Sequence, residues 1–225
     1  MTKPTTIIGL TGPAGSGKDT VADLLVTHAG FYKMAFADTL KAEVSEAFGV
    51  EPLYLTHRDT KEHPMSCLAL AKCADQAFVD RMDGHHQFYG NPLLHAAARS
   101  PREIMQWWGT DYRRKLKSDY WLSKASSHLH SLLANGITSR VVITDLRFDN
   151  EADMVKSYGG IIWQVSRPGC EVPAGAHVSE VTGEAFQPSA VLHNSHDIKH
   201  LQQLVLGEFW AHDAGLGKVT VTIAD

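Results

Sequence analysis

An α/β fold, a doubly wound parallel sheet flanked by helices with a mobile lid or substrate-binding excursion, is predicted by three observations. The apolar run TIIGLTG ends in glycine and runs directly into GPAGSGKDT, a glycine-rich stretch with an amphipathic helical pattern behind it. Short apolar runs then alternate with helical patterns through the second half of the chain, as βαβ units require. The 225 residues, 44% of them hydrophobic, are enough for one substantial core carrying a smaller excursion. A single domain over 1–225 is therefore expected, with about 50–100 an inserted or covering region.

Each element has its own signal. Residues 6–12 read as a buried parallel strand, and DTVADLLVTHAG as a helix with Val21, Leu24 and Leu25 on one face and Gly30 as its stop. FYKMAFAD reads as a second short strand and TLKAEVSEAFG as a helix closed by Gly49. From 50 to 100 the text turns polar and rich in histidine, punctuated by Pro52, Pro64, Gly84, Gly90 and Pro92, with PMSCLALAKCADQAFVDRM an irregular helix. Regular structure restarts at SPREIMQWWGTDYRR, where Ser100 caps, Pro101 takes the first turn, and Ile104, Trp107 and Trp108 are spaced for burial. DYWLSKASSHLHSLLANG is a helix ending at Gly136. Val141–Thr144 form a buried strand with Asp145 and Arg147 at its carboxyl end, followed by the helix NEADMVKSYG. IIWQVSRPG is another strand, ending at Arg167 and Pro168, and AVLHNSHDIKHLQQLVLGEFW gives a last strand, a polar turn and a helix. In such a sheet the ligand lies at the carboxyl ends of the strands.

The chemistry is concentrated after the first strand. The spacing G-x-x-x-x-G-K from Gly12 to Lys18 is that of a phosphate-binding P-loop, in the strand–loop–helix context the motif needs. Backbone N–H groups from Gly12 to Lys18 face one concavity, the helix dipole adds to their field, and the Lys18 ammonium bridges outer phosphates. The ligand expected is a nucleoside triphosphate with magnesium. The residue after Lys18 is Asp19, where the motif carries a hydroxyl. A carboxylate there repels a triphosphate unless a cation or a proton intervenes. It either binds magnesium, directly or through water, or hydrogen-bonds the attacking phosphate, or it merely complements the helix dipole. Thr20, turned by about 100° along the helix, points to the alpha-phosphate instead.

The strings SGKDT, FADTLK, PREIMQWWGTDYRR, TDLRFDNEAD with a following GG, RPG and HVSE resemble, in this order, the phage-type deoxynucleoside monophosphate kinases. The likeness runs over nearly the whole chain and is weakest from 50 to 95. It implies a P-loop NTPase-like fold and transfer of the ATP gamma-phosphoryl group to a dNMP, giving dNDP and ADP. It implies that Ser16, Gly17, Lys18, Asp19 and Thr20 hold ATP phosphates and magnesium, and the P-loop spacing adds Gly12 and Gly15 to the nucleotide-binding set. It places Arg102, Gln106, Gly109 and Thr110 along the acceptor, with Trp121, or Tyr120 in its place, as an aromatic wall for the base. Asp145, Arg147 and Glu151 complete the acceptor site, and catalysis falls to Lys18, Asp19, Asp145 and Arg147. Physics requires such guanidinium groups, because two repelling phosphates must be brought within bonding reach in a fixed geometry. Asp145 suits an outer-sphere magnesium role or a helix cap, and which of Arg113, Arg114 or Arg167 closes over the phosphates stays open. Lys115 and Lys117 extend the same charge run, which also suits a solvated face.

The bulk numbers exclude other classes. With 21 Lys and Arg against 25 Asp and Glu, the net charge of −4 leaves no basic track for an extended nucleic-acid surface. This weighs against the alternative of a P-loop kinase acting on hydroxymethylated pyrimidine in DNA. The second alternative, a nucleotide-gated binding module without acceptor chemistry, has no use for the paired arginines. Cys67, Cys73 and Cys170 are an odd count that makes no disulfide framework, and no run reaches the ~18 residues of a membrane span. A soluble protein of the cytoplasm, the host's if phage-encoded, is expected, with small-molecule nucleotides as partners and a homodimer left open. His57, His63, Cys67 and Cys73 match no closed zinc spacing, and His85 and His86 beside Gly84 read as a loop.

Overall fold

The computed structural model describes residues 5–56, 60–90, 92–170 and 187–215. The string HVSE and His57 lie outside them. The chain divides into two compact units, Met1–Phe36 with Ser126–Asp225, and Ala37–Ala125. The residues expected to form an inserted region, 50–100, fall in the second.

The first unit is built on five parallel strands, β1 (Thr6–Thr11), β2 (Tyr32–Met34), β3 (Arg140–Ile143), β4 (Ile161–Ser166) and β5 (Ala190–His193), in the order β2-β3-β1-β4-β5. Register pairs Ile7 with Val141, Gly9 with Ile162 and Val165 with Leu192. All six residues of β1 are buried, as a central strand covered on both faces demands. On one face Ile8, Leu10, Val142, Trp163 and Val165 meet α1 (Lys18–Ala29) and α8 (Ile198–Asp213) through Leu25, Leu201, Val205 and Phe209. On the other, α7 (Asp149–Ser157) comes so close that a Cβ on Gly9 would touch Val155 and Leu146 at 3.4 Å. Helices on both faces of a parallel sheet are the predicted doubly wound arrangement.

The second unit gathers α2 (Phe36–Phe48), α3 (Pro52–Thr56), α4 (Gln76–Phe88), α5 (Pro101–Gln106), a π-helix (Trp107–Arg114) and the start of α6 (Tyr120–Ala134). Its core is Val44, Phe48, Leu68, Phe78, Met82, Ile104 and Trp108. Ser100 caps α5 by accepting the Glu103 N–H at 3.2 Å, with Pro101 in the first turn, as its sequence signals indicate.

Three boundaries differ from the sequence expectation. FYKMAFAD is strand only to Met34, because Asp145 Oδ1 accepts the Phe36 N–H at 2.7 Å and so starts α2 there. The irregular helix resolves into two 3₁₀ turns, Ser66–Leu68 and Leu70–Lys72, and then α4. His85 and His86 are helical rather than in a loop, since Asp75 caps α4 at the Phe78 N–H and burial of Phe78, Val79 and Met82 outweighs the about 1 kcal/mol that Gly84 costs a helix.

Candidate functional site

The parallel order turns the carboxyl ends of β1, β3, β4 and β5 to the same end of the sheet. The P-loop leaves β1 there and closes tightly on its neighbours. A Cβ on Gly12, whose φ is +136°, would lie 2.2 Å from the Val165 carbonyl oxygen of β4, so only glycine allows this approach. Gly17, with φ +104°, would bring a Cβ within 2.5 Å of Asn194 Nδ2. That amide, just past β5, donates to the Ser16 carbonyl at 2.9 Å and braces the loop. Ser16 is fully buried, and its hydroxyl has no hydrogen-bond partner among the described residues. An orphaned hydroxyl within the P-loop suits an oxyanion.

Lys18 opens α1 and folds back, donating from Nζ to the carbonyls of Gly12 at 2.7 Å and Pro13 at 2.8 Å. Burial and then the Arg147 guanidinium push its ammonium below the ordinary lysine value, against the pull of Asp19 and Asp145. Asp19 is exposed at the first turn, and its carboxylate Oδ1 lies 3.2 Å from Lys33 Nζ of β2. Asp23, one turn further along, holds the same ammonium at 2.9 Å. Burial acts to lower the Lys33 pKa, but the hydrogen bonds to Asp23 and Asp19 outweigh it and hold it above its ordinary value. Thr20 follows, half-buried.

Beyond β3, Asp145 is half-buried and Arg147 exposed. Glu151, 3% exposed, turns back to accept the backbone N–H of Arg147 at 2.8 Å and of Phe148 at 3.1 Å. A buried carboxylate at the third helical position thus satisfies the two backbone donors that lead into α7 and fixes the backbone that presents Arg147. The structure brings the P-loop residues, Asp145, Arg147 and Glu151 into one unit.

Arg102, Gln106, Gly109, Thr110 and Trp121 belong to the other. Arg102 Nε pairs with Glu62, and Gln106 is exposed at the end of α5. Gly109 and Thr110 lie within the π-helix, an element frequent at functional sites. Trp121 is 4% exposed and donates from Nε1 to the Gly109 carbonyl at 3.0 Å, so it shapes the widened turn directly. Nearby, Glu43 accepts from Trp108 Nε1 at 3.0 Å, from Arg113 Nε at 2.9 Å and from the Tyr120 hydroxyl. Arg113 also stacks 4.4 Å over the Tyr112 ring. Burial and then Glu43 push the Tyr120 hydroxyl up to about 12.

Sequence patterns did not single out Asn194 or Lys33. Asn194 sits in the polar turn after β5, and only the strand order shows that this turn meets the P-loop. Among the described residues no group of three or more His, Cys, Asp or Glu is placed to hold a metal ion. No helix among them is long and apolar enough to cross a membrane.

The chain is similar to known proteins. The family model described as deoxynucleotide monophosphate kinase matches residues 78–205. A protein of Acanthamoeba polyphaga mimivirus, provisionally named a deoxynucleotide monophosphate kinase, is 30% identical over 220 residues, 91% of this chain and 92% of its own. The deoxynucleoside-5'-monophosphate kinase of Escherichia phage T5 is 29% identical over 182 residues, 67% of this chain and 71% of its own. Among solved structures, a dephospho-CoA kinase from Campylobacter jejuni superposes with a TM-score of 0.49 at 11% identity, covering 93% of this chain and 98% of that one. With over half of its length matched by the family model and nearly all of it by the mimivirus relative, the chain belongs to the deoxynucleotide monophosphate kinase family.

Proposed function

We propose that the protein transfers the gamma-phosphoryl group of ATP, with magnesium, to the phosphate of a deoxynucleoside monophosphate. An acceptor phosphate oxygen forms a bond to the gamma-phosphorus, the bond from that phosphorus to the bridging oxygen breaks, and its electron pair leaves with ADP. One observation carries this in a chain of this family: a P-loop with a buried, unpartnered Ser16 hydroxyl stands on β1, beside the β3 end that bears Asp145 and Arg147.

The residues take roles that their surroundings support. Lys18 exchanges the carbonyls of Gly12 and Pro13 for phosphate oxygens, and the backbone N–H groups of Gly12, Gly15 and Gly17 donate to the same anion. Ser16 gains a partner for its hydroxyl, and Thr20 meets the alpha-phosphate. The Asp19 carboxylate, 82% exposed at the loop's lip, fits magnesium, which is bound through one or two carboxylates together with substrate phosphates. When bound, the ion neutralises charge growing on the phosphate oxygens. Arg147 grips the acceptor phosphate, held in place through its backbone by Glu151. Asp145 orients the chain at the start of α2 and faces the same end of the sheet. Arg102, Gln106 and Thr110 recognise the second substrate, while Trp121, buried on the Gly109 carbonyl, supports the turn that carries Gly109 and Thr110 rather than forming an open wall for the base. Catalysis is positioning and charge neutralisation, with little covalent work for the protein. The proposed setting is the cytoplasm, and a homodimer is decided by light scattering.

The test is a coupled ADP-release assay over the ribo- and deoxy-monophosphates, with hydroxymethylated DNA as a parallel acceptor. Turnover with one or more free deoxynucleoside monophosphates is expected. Turnover with the modified DNA alone overturns the assignment.

A further inference from the structure

We propose that Lys33 is a positioning residue for Asp19, reaching from β2 to neutralise the acid that stands where P-loops carry a hydroxyl. Asp19 and Asp23 are four residues apart on α1, one face of a helix, where like charges repel. Lys33 Nζ lies 3.2 Å from Asp19 Oδ1 and 2.9 Å from Asp23 Oδ1, so one ammonium serves both acids. Asp23 anchors the ammonium, and the lysine side chain is only 33% exposed. β2 is an edge strand whose register against β3 fixes this reach, Lys33 standing opposite Val142. A bare carboxylate one residue after Lys18 opposes a triphosphate until a metal arrives. With Lys33 in place the same carboxylate costs the anion little, yet remains a ligand for the metal that accompanies it.

The inference rests on the assignment of ATP to the P-loop and of magnesium to Asp19. It separates two states that an ordinary P-loop hydroxyl would not: nucleotide without metal, which needs Lys33, and nucleotide with metal, which does not. Because the pair is partly exposed, the effect is modest, roughly three- to tenfold.

Equilibrium binding of ATP, in chelator and in excess magnesium, tests it on the full chain and on Lys33→Met, Lys33→Arg, Asp19→Asn and the Asp19→Asn/Lys33→Met double variant. Lys33→Met is expected to weaken metal-free ATP binding roughly three- to tenfold and to leave binding in excess magnesium within about twofold, while Lys33→Arg restores the metal-free affinity. In the Asp19→Asn background, loss of Lys33 should change neither affinity by more than about twofold. Equal losses in both backgrounds would mean that the ammonium acts on the nucleotide directly and would overturn the proposal. So would an unchanged Lys33→Met variant in a protein that binds ATP, which marks a surface ion pair. Failure of the unaltered chain to bind ATP at all overturns the P-loop assignment, and the inference with it.

Discussion

Arg147 and Asp19 present opposite cases at the scale of single residues. Arg147 is exposed, but its backbone is tied down by a buried Glu151, so the guanidinium is delivered from a rigid support. Arg147→Ala should lower kcat/KM by roughly 10²–10³-fold while ATP binding persists, since a group meeting only the second substrate and the transferring charge is lost. Normal turnover with saturating monophosphate would make Arg147 structural. Asp19→Asn keeps shape and helix but removes the charge. Its turnover should fall at least about tenfold and its magnesium requirement rise, whereas Asp19→Ser retains ATP binding. Unchanged turnover and unchanged metal dependence in Asp19→Asn would take the carboxylate out of the chemistry. The P-loop was legible in the sequence because its glycines, lysine and helix are contiguous, and all its constraints are local. Lys33 and Asn194 were not, because each touches the loop only through the order of strands, which no short stretch of text encodes.

Elements show where local pattern loses to tertiary context. The helix from Pro101 carries correct start signals, yet it widens into a π-helix at Trp107. The partners that support the widening, the Trp121 indole on the Gly109 carbonyl and Glu43 under Trp108 and Arg113, come from α6 and α2, and periodicity within one segment does not contain them. The Glu43 cluster has a signature of its own. Tyr120 ionises at about 12 in the folded protein, above the ~10 of a free tyrosine, so the folded state favours the neutral phenol. The stability this provides is fully present below pH ~10 and is lost as pH rises toward the folded value. A titration of phenolate absorbance should show Tyr120 and Tyr112 ionising later than a free tyrosine, and Glu43→Gln should bring the Tyr120 step down. A Tyr120 step that does not move in Glu43→Gln would assign its shift to burial alone.

For the molecule as a whole, the net charge of −4 supports the proposal that phosphate is met at the loop and the arginines rather than along a polynucleotide. Turnover on free monophosphates should therefore exceed labelling of any polynucleotide by orders of magnitude, and the residual polynucleotide signal should fall steeply with added salt. Efficient labelling of DNA with no free mononucleotide accepted would reverse that order. The sheet was legible as a class, from alternating strands and helices, but its order was not: β1 finds its two neighbours in strands that begin at Arg140 and Ile161. That separation acquires a meaning on the ribosome. At a synthesis rate of roughly 5–20 residues per second, the first strand emerges on the order of ten seconds before either neighbour exists. Until that interval ends β1, all six of whose residues are buried in the finished fold, has no sheet to join, and by its end the whole of Ala37–Ala125, with an apolar core of its own, has been made. The sheet of this unit is consequently completed only after Ala37–Ala125 has been synthesised, and β1 has to stay shielded until then.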